Sequence, residues 1–251
     1  MARLIILGTS AQVPDEDHKN THMALTGDEG VVLIDCPDTP IVRLGKLGIS
    51  LDDVTDLIVT HFHPDHVGGV PLMLMNMWLL GRQTPLRVYG LHHCLERLED
   101  MMGFYHWESW PNFFPVAFHR LPERERVPVL IKNDVDIYSS PVRHLVPTIG
   151  LRLERLNGGK TLAYSCDTEP CPSVVRLASG ADILLHEATG AGLGHSSASQ
   201  AGAIAREAEV KQLILIHYKA LKGTMDSLLQ QAKGTFPGEV TLAKDLMELR
   251  V

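Results

Sequence analysis

The feature that most constrains this chain is the hexapeptide His61-Phe62-His63-Pro64-Asp65-His66, which follows directly on the strand-like run Asp56–Thr60. Three imidazoles and a carboxylate within six residues are a donor set for a zinc-like cation, at about 2.0–2.2 Å per bond. A strand that ends in a tight loop splays alternate side chains. His61 and His63 then face one point, and Asp65 and His66 a neighbouring one. Pro64 stiffens the loop, while Gly68-Gly69 let it turn sharply into the next element. The chain holds 13 histidines, and where they sit matters more than how many there are.

Short strand-like runs cluster in both halves: Arg3–Leu7, Val31–Asp35, Leu57–Thr60 and Leu86–Tyr89, then Val127–Ile131, Val135–Tyr138, Ile149–Leu156, Thr161–Ser165, Ile183–His186 and Leu213–His217. Helical patterns at Ile41–Leu47, Val70–Leu80, Cys94–Met102, Ala198–Glu209 and Met225–Lys233 separate them. Asn157-Gly158-Gly159 reads as a hairpin turn. This order predicts an α+β chain of two mixed sheets packed together with helices outside. With no Pro- or Ser-rich linker, residues 1–251 are expected to form one domain. A composition of 45% hydrophobic and 21% charged residues excludes a disordered or fibrous chain. The net charge of −7 gives no global field for a polyanion. The longest apolar stretch, Val67–Leu80, is broken by Gly68, Gly69, Pro71 and Asn76 and is too short to span a bilayer. The N-terminal run is too short for a secretory signal, and Cys36, Cys94, Cys166 and Cys171 lack zinc-ribbon spacing. Reduced thiols and a cytoplasmic location are expected.

The loop resembles the HxHxDH hallmark of the metallo-β-lactamase superfamily. That resemblance implies a four-layer αββα sandwich with a one- or two-metal site at the edge between the sheets. It also implies further ligands in order: His144 in Ser140–His144, Asp167 after Thr161–Ser165, and His217 after Leu213–Ile216. By resemblance, one ion takes His61, His63 and His144, a second takes Asp65, His66 and His217, and Asp167 bridges them. The implied cofactor is two divalent ions about 3.5–4 Å apart, zinc by donor type, with manganese or iron fitting the same donors. A hydroxide between them is the implied nucleophile.

Two more stretches, Ile183–Thr189 and Gly194–Glu207, resemble the ribonuclease Z branch. By that resemblance Glu187 orients His195, His195 protonates the leaving oxygen, and Asp65 also holds the attacking water. A proton donor suits a phosphodiester because an alkoxide leaves poorly. The chain departs from the tRNA-processing members. Only residues 145–166 separate His144 from Asp167, so their tRNA-binding arm is absent, and the acidic charge agrees with that. Cys166 stands where a glycine is usual. The expected function is therefore a metal-dependent phosphodiesterase acting on a small or cyclic phosphodiester. The alternatives are a tRNA 3′-processing endonuclease, or a carboxylic, thioester or lactone hydrolase. A non-catalytic nucleic-acid-binding scaffold fits less well, since every expected ligand is present.

Half of the chain's aromatic residues lie between Phe104 and Phe118. They predict either a packed apolar insert and homodimer interface, or a lid of Trp107 and Trp110 over the metals. His22, read as part of an early loop near the site, is a candidate substrate contact. Arg120, Arg124 and Arg126, interleaved with Glu123 and Glu125, read as a solvated surface.

Overall fold

The computed structural model describes residues 2–155, 158–220 and 225–251. Leu156 and Asn157, at the start of the expected hairpin turn, lie outside the described residues. The strands are β1 (Arg3–Gly8), β2 (His22–Gly27), β3 (Gly30–Ile34), β4 (Val54–Ile58), β5 (Leu86–Leu91), β6 (Val116–Leu121), β7 (Val127–Ile131), β8 (Val135–Val142), β9 (Thr148–Arg155), β10 (Thr161–Tyr164), β11 (Ile183–Ala188), β12 (Gln212–Tyr218), β13 (Glu239–Leu242) and β14 (Glu248–Arg250). Among the described residues they form two seven-stranded sheets, ordered β14-β1-β2-β3-β4-β5-β6 and β13-β12-β11-β10-β9-β8-β7. Each sheet is antiparallel at one side and parallel at the other, through β3-β4-β5-β6 and β10-β11-β12-β13.

Both faces of each sheet are covered, which is why the strands read as continuous apolar runs rather than alternating ones. In β1, Leu4 and Ile6 point into the core between the sheets, and Ile5 and Leu7 into the outer core. In β12, Ile214 and Ile216 face the other sheet while Leu213 and Leu215 face helices. The outer layer of the first sheet is α1 (Ile41–Lys46), the short α2 (Pro64–Val67), α3 (Val70–Leu79) and α4 (His92–Gly103); that of the second is α5 (Pro172–Ala178), α6 (Ala198–Glu207) and α7 (Met225–Lys233). Three apolar clusters, one between the sheets and one under each helical layer, make the four-layer αββα sandwich.

Several local features differ from the sequence reading. The stretch after β4 is not an open loop throughout: Pro64, at the first helical position, starts α2, so Asp65 and His66 sit on a helical turn. Gly69 is required there, because a Cβ would lie 2.2 Å from the Asp38 carbonyl. His22 is not in a loop. It opens β2, is fully buried, and donates from Nδ1 to the Asn20 carbonyl at 2.8 Å. β2, β6 and α5 have no counterpart in the sequence reading, being short elements of mixed or Pro-led composition. Ser197 caps α6 in a reciprocal pair with Gln200.

The aromatic insert packs inward from Trp107 onward, while Phe104 and Tyr105 stay exposed. Trp107, Trp110, Phe113 and Phe118 lie against the core under α3 and α4, and Trp78 stacks on Trp110 at 5.0 Å. Two of the three clustered arginines are paired, Arg120 with Glu99 and Arg126 with Glu154 at 3.0 Å. No helix among the described residues is long and apolar enough to cross a membrane.

One ion pair joins the sheets. Asp56 on β4, fully buried, receives Lys132 Nζ at 3.0 Å and Arg87 Nε at 2.7 Å. Lys132 follows β7 in the other sheet and is itself buried. Asp56→Ala is expected to lower the unfolding free energy by about 3–5 kcal/mol, because it strands a buried ammonium. Urea denaturation reads this directly, and a loss below about 1 kcal/mol would mean that Lys132 reaches water instead.

Candidate metal centre

The C-terminal ends of β4, β10, β11 and β12, with the start of the loop after β8, meet at one edge of the sandwich. They bring together all seven metal-ligand candidates. His61 Nε2 and His144 Nε2 each lie 3.1 Å from His63 Nδ1. Nitrogens on one tetrahedral zinc, at about 2.0–2.1 Å from the ion, stand roughly this far apart. A second group sits beside the first: Asp65 Oδ2 is 3.6 Å from His217 Nε2 and 3.8 Å from His66 Nε2. Asp167 lies between the groups, its Oδ2 3.6 Å from His66 Nε2, 3.9 Å from His144 Nε2 and 4.0 Å from His61 Nε2.

What decides whether these residues suit a cation is where their other nitrogens go. His66 donates from Nδ1 to Asp35 Oδ2 at 2.8 Å, and His144 from Nδ1 to the Gly194 carbonyl at 2.6 Å. His217 donates from Nδ1 to Thr189 Oγ1 at 2.8 Å, and that hydroxyl donates onward to the His217 carbonyl. His61 Nδ1 donates to Thr60 Oγ1 at 3.2 Å, the Thr60 hydroxyl being committed to Asp35. Each outer nitrogen therefore holds the proton, and each inner nitrogen turns a lone pair to the shared centre. The inner atoms find nothing in exchange. Asp65 Oδ2, His66 Nε2, His217 Nε2 and Asp167 Oδ1 are buried without a hydrogen-bond partner, a cost that a divalent cation would remove.

The electrostatics point the same way. Burial lowers the His66 pKa, but the charges of Asp167 and Asp35 outweigh it and hold it well above the ordinary value. Burial raises the Asp167 carboxyl, yet His217 and His66 bring it well below the usual carboxylate range. The cluster calls for positive charge at its centre.

Glu187 and His195 stand at the rim. His195 donates from Nδ1 to Glu187 Oε1 at 3.0 Å, and that nitrogen is 3.9 Å from Asp167 Oδ2. Glu187 is fully buried inside β11 and accepts the backbone N–H groups of Thr168, Thr189 and Ser196 as well. Burial lowers the His195 pKa, but the Glu187 hydrogen bond and charge win and raise it.

The sequence reading missed the residues that aim the imidazoles: Asp35, Thr60, Thr189 and the Gly194 carbonyl. Asp35 lay in the run Val31–Asp35, Thr60 in Asp56–Thr60, and Thr189 and Gly194 in the two branch-like stretches, but no spacing marked any of them as the partner of an imidazole. Cys166 comes near the site but from behind, its Sγ 3.6 Å from His61 Nδ1 rather than facing the inner nitrogens.

Comparison with known proteins places this geometry. A family profile described as "Anti-Pycsar protein Apyc1" matches residues 2–236. The ribonuclease Z of Methanothermobacter thermautotrophicus is 30% identical over 311 positions, covering 100% of this chain and 97% of the relative. The chain belongs to the anti-Pycsar Apyc1 family of ribonuclease Z-like metallo-β-lactamase-fold hydrolases. Its fold matches that of YhfI from Bacillus subtilis, with a TM-score of 0.82, 21% identity and coverage of 100% and 99% of the two chains. The short form of human tRNase Z matches with a TM-score of 0.73, 22% identity and coverage of 98% of each chain. The 311-position alignment against a chain of 251 residues leaves roughly 60 positions of the archaeal relative without a residue in this family member.

Asp35→Asn keeps a side chain that tolerates the left-handed backbone at this position, where φ is 62°, and removes the charge behind His66. It is expected to weaken zinc binding about 10–100-fold. Isothermal titration of metal-free protein measures it, and unchanged affinity would show that Asp35 only supports the fold.

Proposed function

We propose that this protein is a metal-dependent phosphodiesterase that hydrolyses a small or cyclic nucleotide phosphodiester. The observation that carries the reading is the Glu187–His195 pair, buried at one end and open at the other, beside the cluster of inner nitrogens. A carbonyl ester or lactone needs little help for its leaving group; an alkoxide departing from phosphorus needs a proton. His195 holds that proton at Nε2 while Nδ1–H stays bound to Glu187. Hydrolysis breaks one P–O ester bond, and the oxygen of water forms a new P–OH bond in its place. The departing oxygen takes its proton from His195, and Asp65 orients the water and accepts its proton.

Two divalent ions fit the two donor groups, His61, His63 and His144 for one and Asp65, His66 and His217 for the other, with Asp167 shared. The donors are nitrogen and oxygen, which suits zinc and also manganese or iron. When bound, such ions supply Lewis acidity toward water and phosphoryl oxygens.

A second reading, a tRNA 3′-processing endonuclease, is favoured by the full-length similarity to proteins named ribonuclease Z. Against it stand the net charge of −7, the short β9–β10 connection in place of an arm, and the shortfall of roughly 60 positions.

A homodimer completes the proposal. Leu72 and Leu79 expose one face of α3 beside Leu80, Phe104 and Tyr105, and Phe104 is 84% exposed. A second copy of this chain is the occupant this apolar strip suits. Leu79→Glu is expected to shift the sedimenting species from dimer to monomer; a wild type that sediments as a monomer removes the idea.

The catalytic test uses metal-loaded protein and two substrates. Chelation is expected to abolish hydrolysis of bis(p-nitrophenyl) phosphate, with zinc or manganese restoring it. His195→Ala should lower kcat about 10²–10⁴-fold for 3′,5′-cyclic AMP, and far less for the nitrophenyl ester, whose anion leaves unprotonated. Equal losses on both substrates would assign His195 to structure. Faster cleavage of a tRNA precursor than of either diester would transfer the assignment to the second reading.

A further inference from the structure

On the outer side of His195 the chain builds a cavity of about 280 Å³ that the catalytic reading does not use. It is lined by Ala11, Gln12, Val13, Pro14 and Asp15 from the loop after β1, and by Lys219 and Ala220 from the segment after β12. That size is near the lower end for small-molecule sites, about 300 Å³. Most of the surface it exposes is apolar, and Gln12, Asp15 and Lys219 are its polar residues.

Two observations tie this cavity to the chemistry. Gln12 reaches from it to the catalytic centre, its Nε2 3.5 Å from His195 Nε2, the nitrogen that faces away from Glu187. One wall also follows β12, the strand that carries His217, and the other is bonded to it. Ala11 N–H donates to the Tyr218 carbonyl at 3.1 Å, and Tyr218 follows His217 directly.

The loop is preorganised. Ser10 Oγ donates to the Val13 carbonyl, Asn20 to the Ala11 carbonyl, and Asp15 Oδ1 accepts from the N–H groups of Asp17 and His18. The His18 ring rests edge-on against Tyr218 at 6.0 Å. A wall held this way needs little ordering when a ligand arrives.

We propose that this cavity is the subsite for the nucleoside carried on the leaving oxygen, with Gln12 the residue that places that oxygen against His195. The inference rests on the phosphodiesterase reading and names its substrate side. A nucleobase has apolar faces and a polar rim, which suits a mostly apolar lining that also holds Gln12, Asp15 and Lys219. The other cavities serve this less well. The groove of Pro71, Leu72, Met75 and Tyr105 belongs to the exposed apolar strip on α3, and in the arginine-lined one Arg126 and Arg176 are paired with Glu154 and Glu125.

The experiment measures kcat and KM for 3′,5′-cyclic AMP and for bis(p-nitrophenyl) phosphate, with zinc-loaded wild type, Gln12→Ala and Val13→Asp. Val13 is 80% exposed, so the aspartate can be introduced without disturbing the core. The expected result is a fall of about tenfold or more in the preference for the cyclic nucleotide in both variants. Val13→Asp should act through KM, and Gln12→Ala through both KM and kcat. A preference within about threefold of wild type in both variants overturns the subsite. Wild type that cleaves the nitrophenyl ester but not the cyclic nucleotide also overturns it while leaving the hydrolase reading intact. Wild type that cleaves neither overturns the proposed function itself.

Discussion

Four imidazoles in this protein commit one nitrogen to an oxygen of the fold and keep the other for a common centre. His61, His66, His144 and His217 donate outward to Thr60, Asp35, Gly194 and Thr189. That arrangement fixes the tautomers, and tautomers decide whether a ring presents a lone pair or a proton. The rest of the sandwich serves to hold these bonds. Three of the acceptors sit on segments distant in sequence from the imidazole they hold, so the geometry exists only once each sheet has brought its strands together.

The cost appears in the backbone. Asp35 at φ 62°, Cys166 at φ 54° and His217 at φ 49° all take left-handed conformations at the ends of β3, β10 and β12. None is glycine, and each departs from the favoured regions for an L-residue. Each lies where a strand must turn abruptly to aim a functional side chain: Asp35 at His66, Cys166 just before Asp167, and His217 itself. Burial on both faces of the sheets offsets this strain, since the strands cannot relax without opening one of three apolar clusters.

Charge is organised on two scales. The chain is acidic overall, while the centre combines two carboxylates with imidazoles whose lone pairs converge. A cation suits that centre. The Glu187–His195 pair stands between the imidazole cluster and the cavity that Gln12 lines.

The hexapeptide at 61–66 made the candidate site legible because six adjacent residues carry four of the seven candidate ligands, and local spacing survives in any fold. His144, Asp167 and His217 were legible as strand-end residues once a family pattern gave their order. The apolar runs of β1, β3, β4 and β12 showed themselves because strands buried on both faces have no polar gaps. β2, α5 and the helical turn at Pro64–Val67 did not, since their residues carry no strong period. The sequence by itself therefore determined the donor types, their order along the chain and the sandwich that unites them. Only the tertiary structure decided which nitrogen of each ring faces inward, that the aromatic insert packs on α3 and α4, and that Gln12 meets His195 across 183 residues. Those outcomes depend on contacts between segments that have no spacing relation to one another, and such contacts leave no local pattern to read.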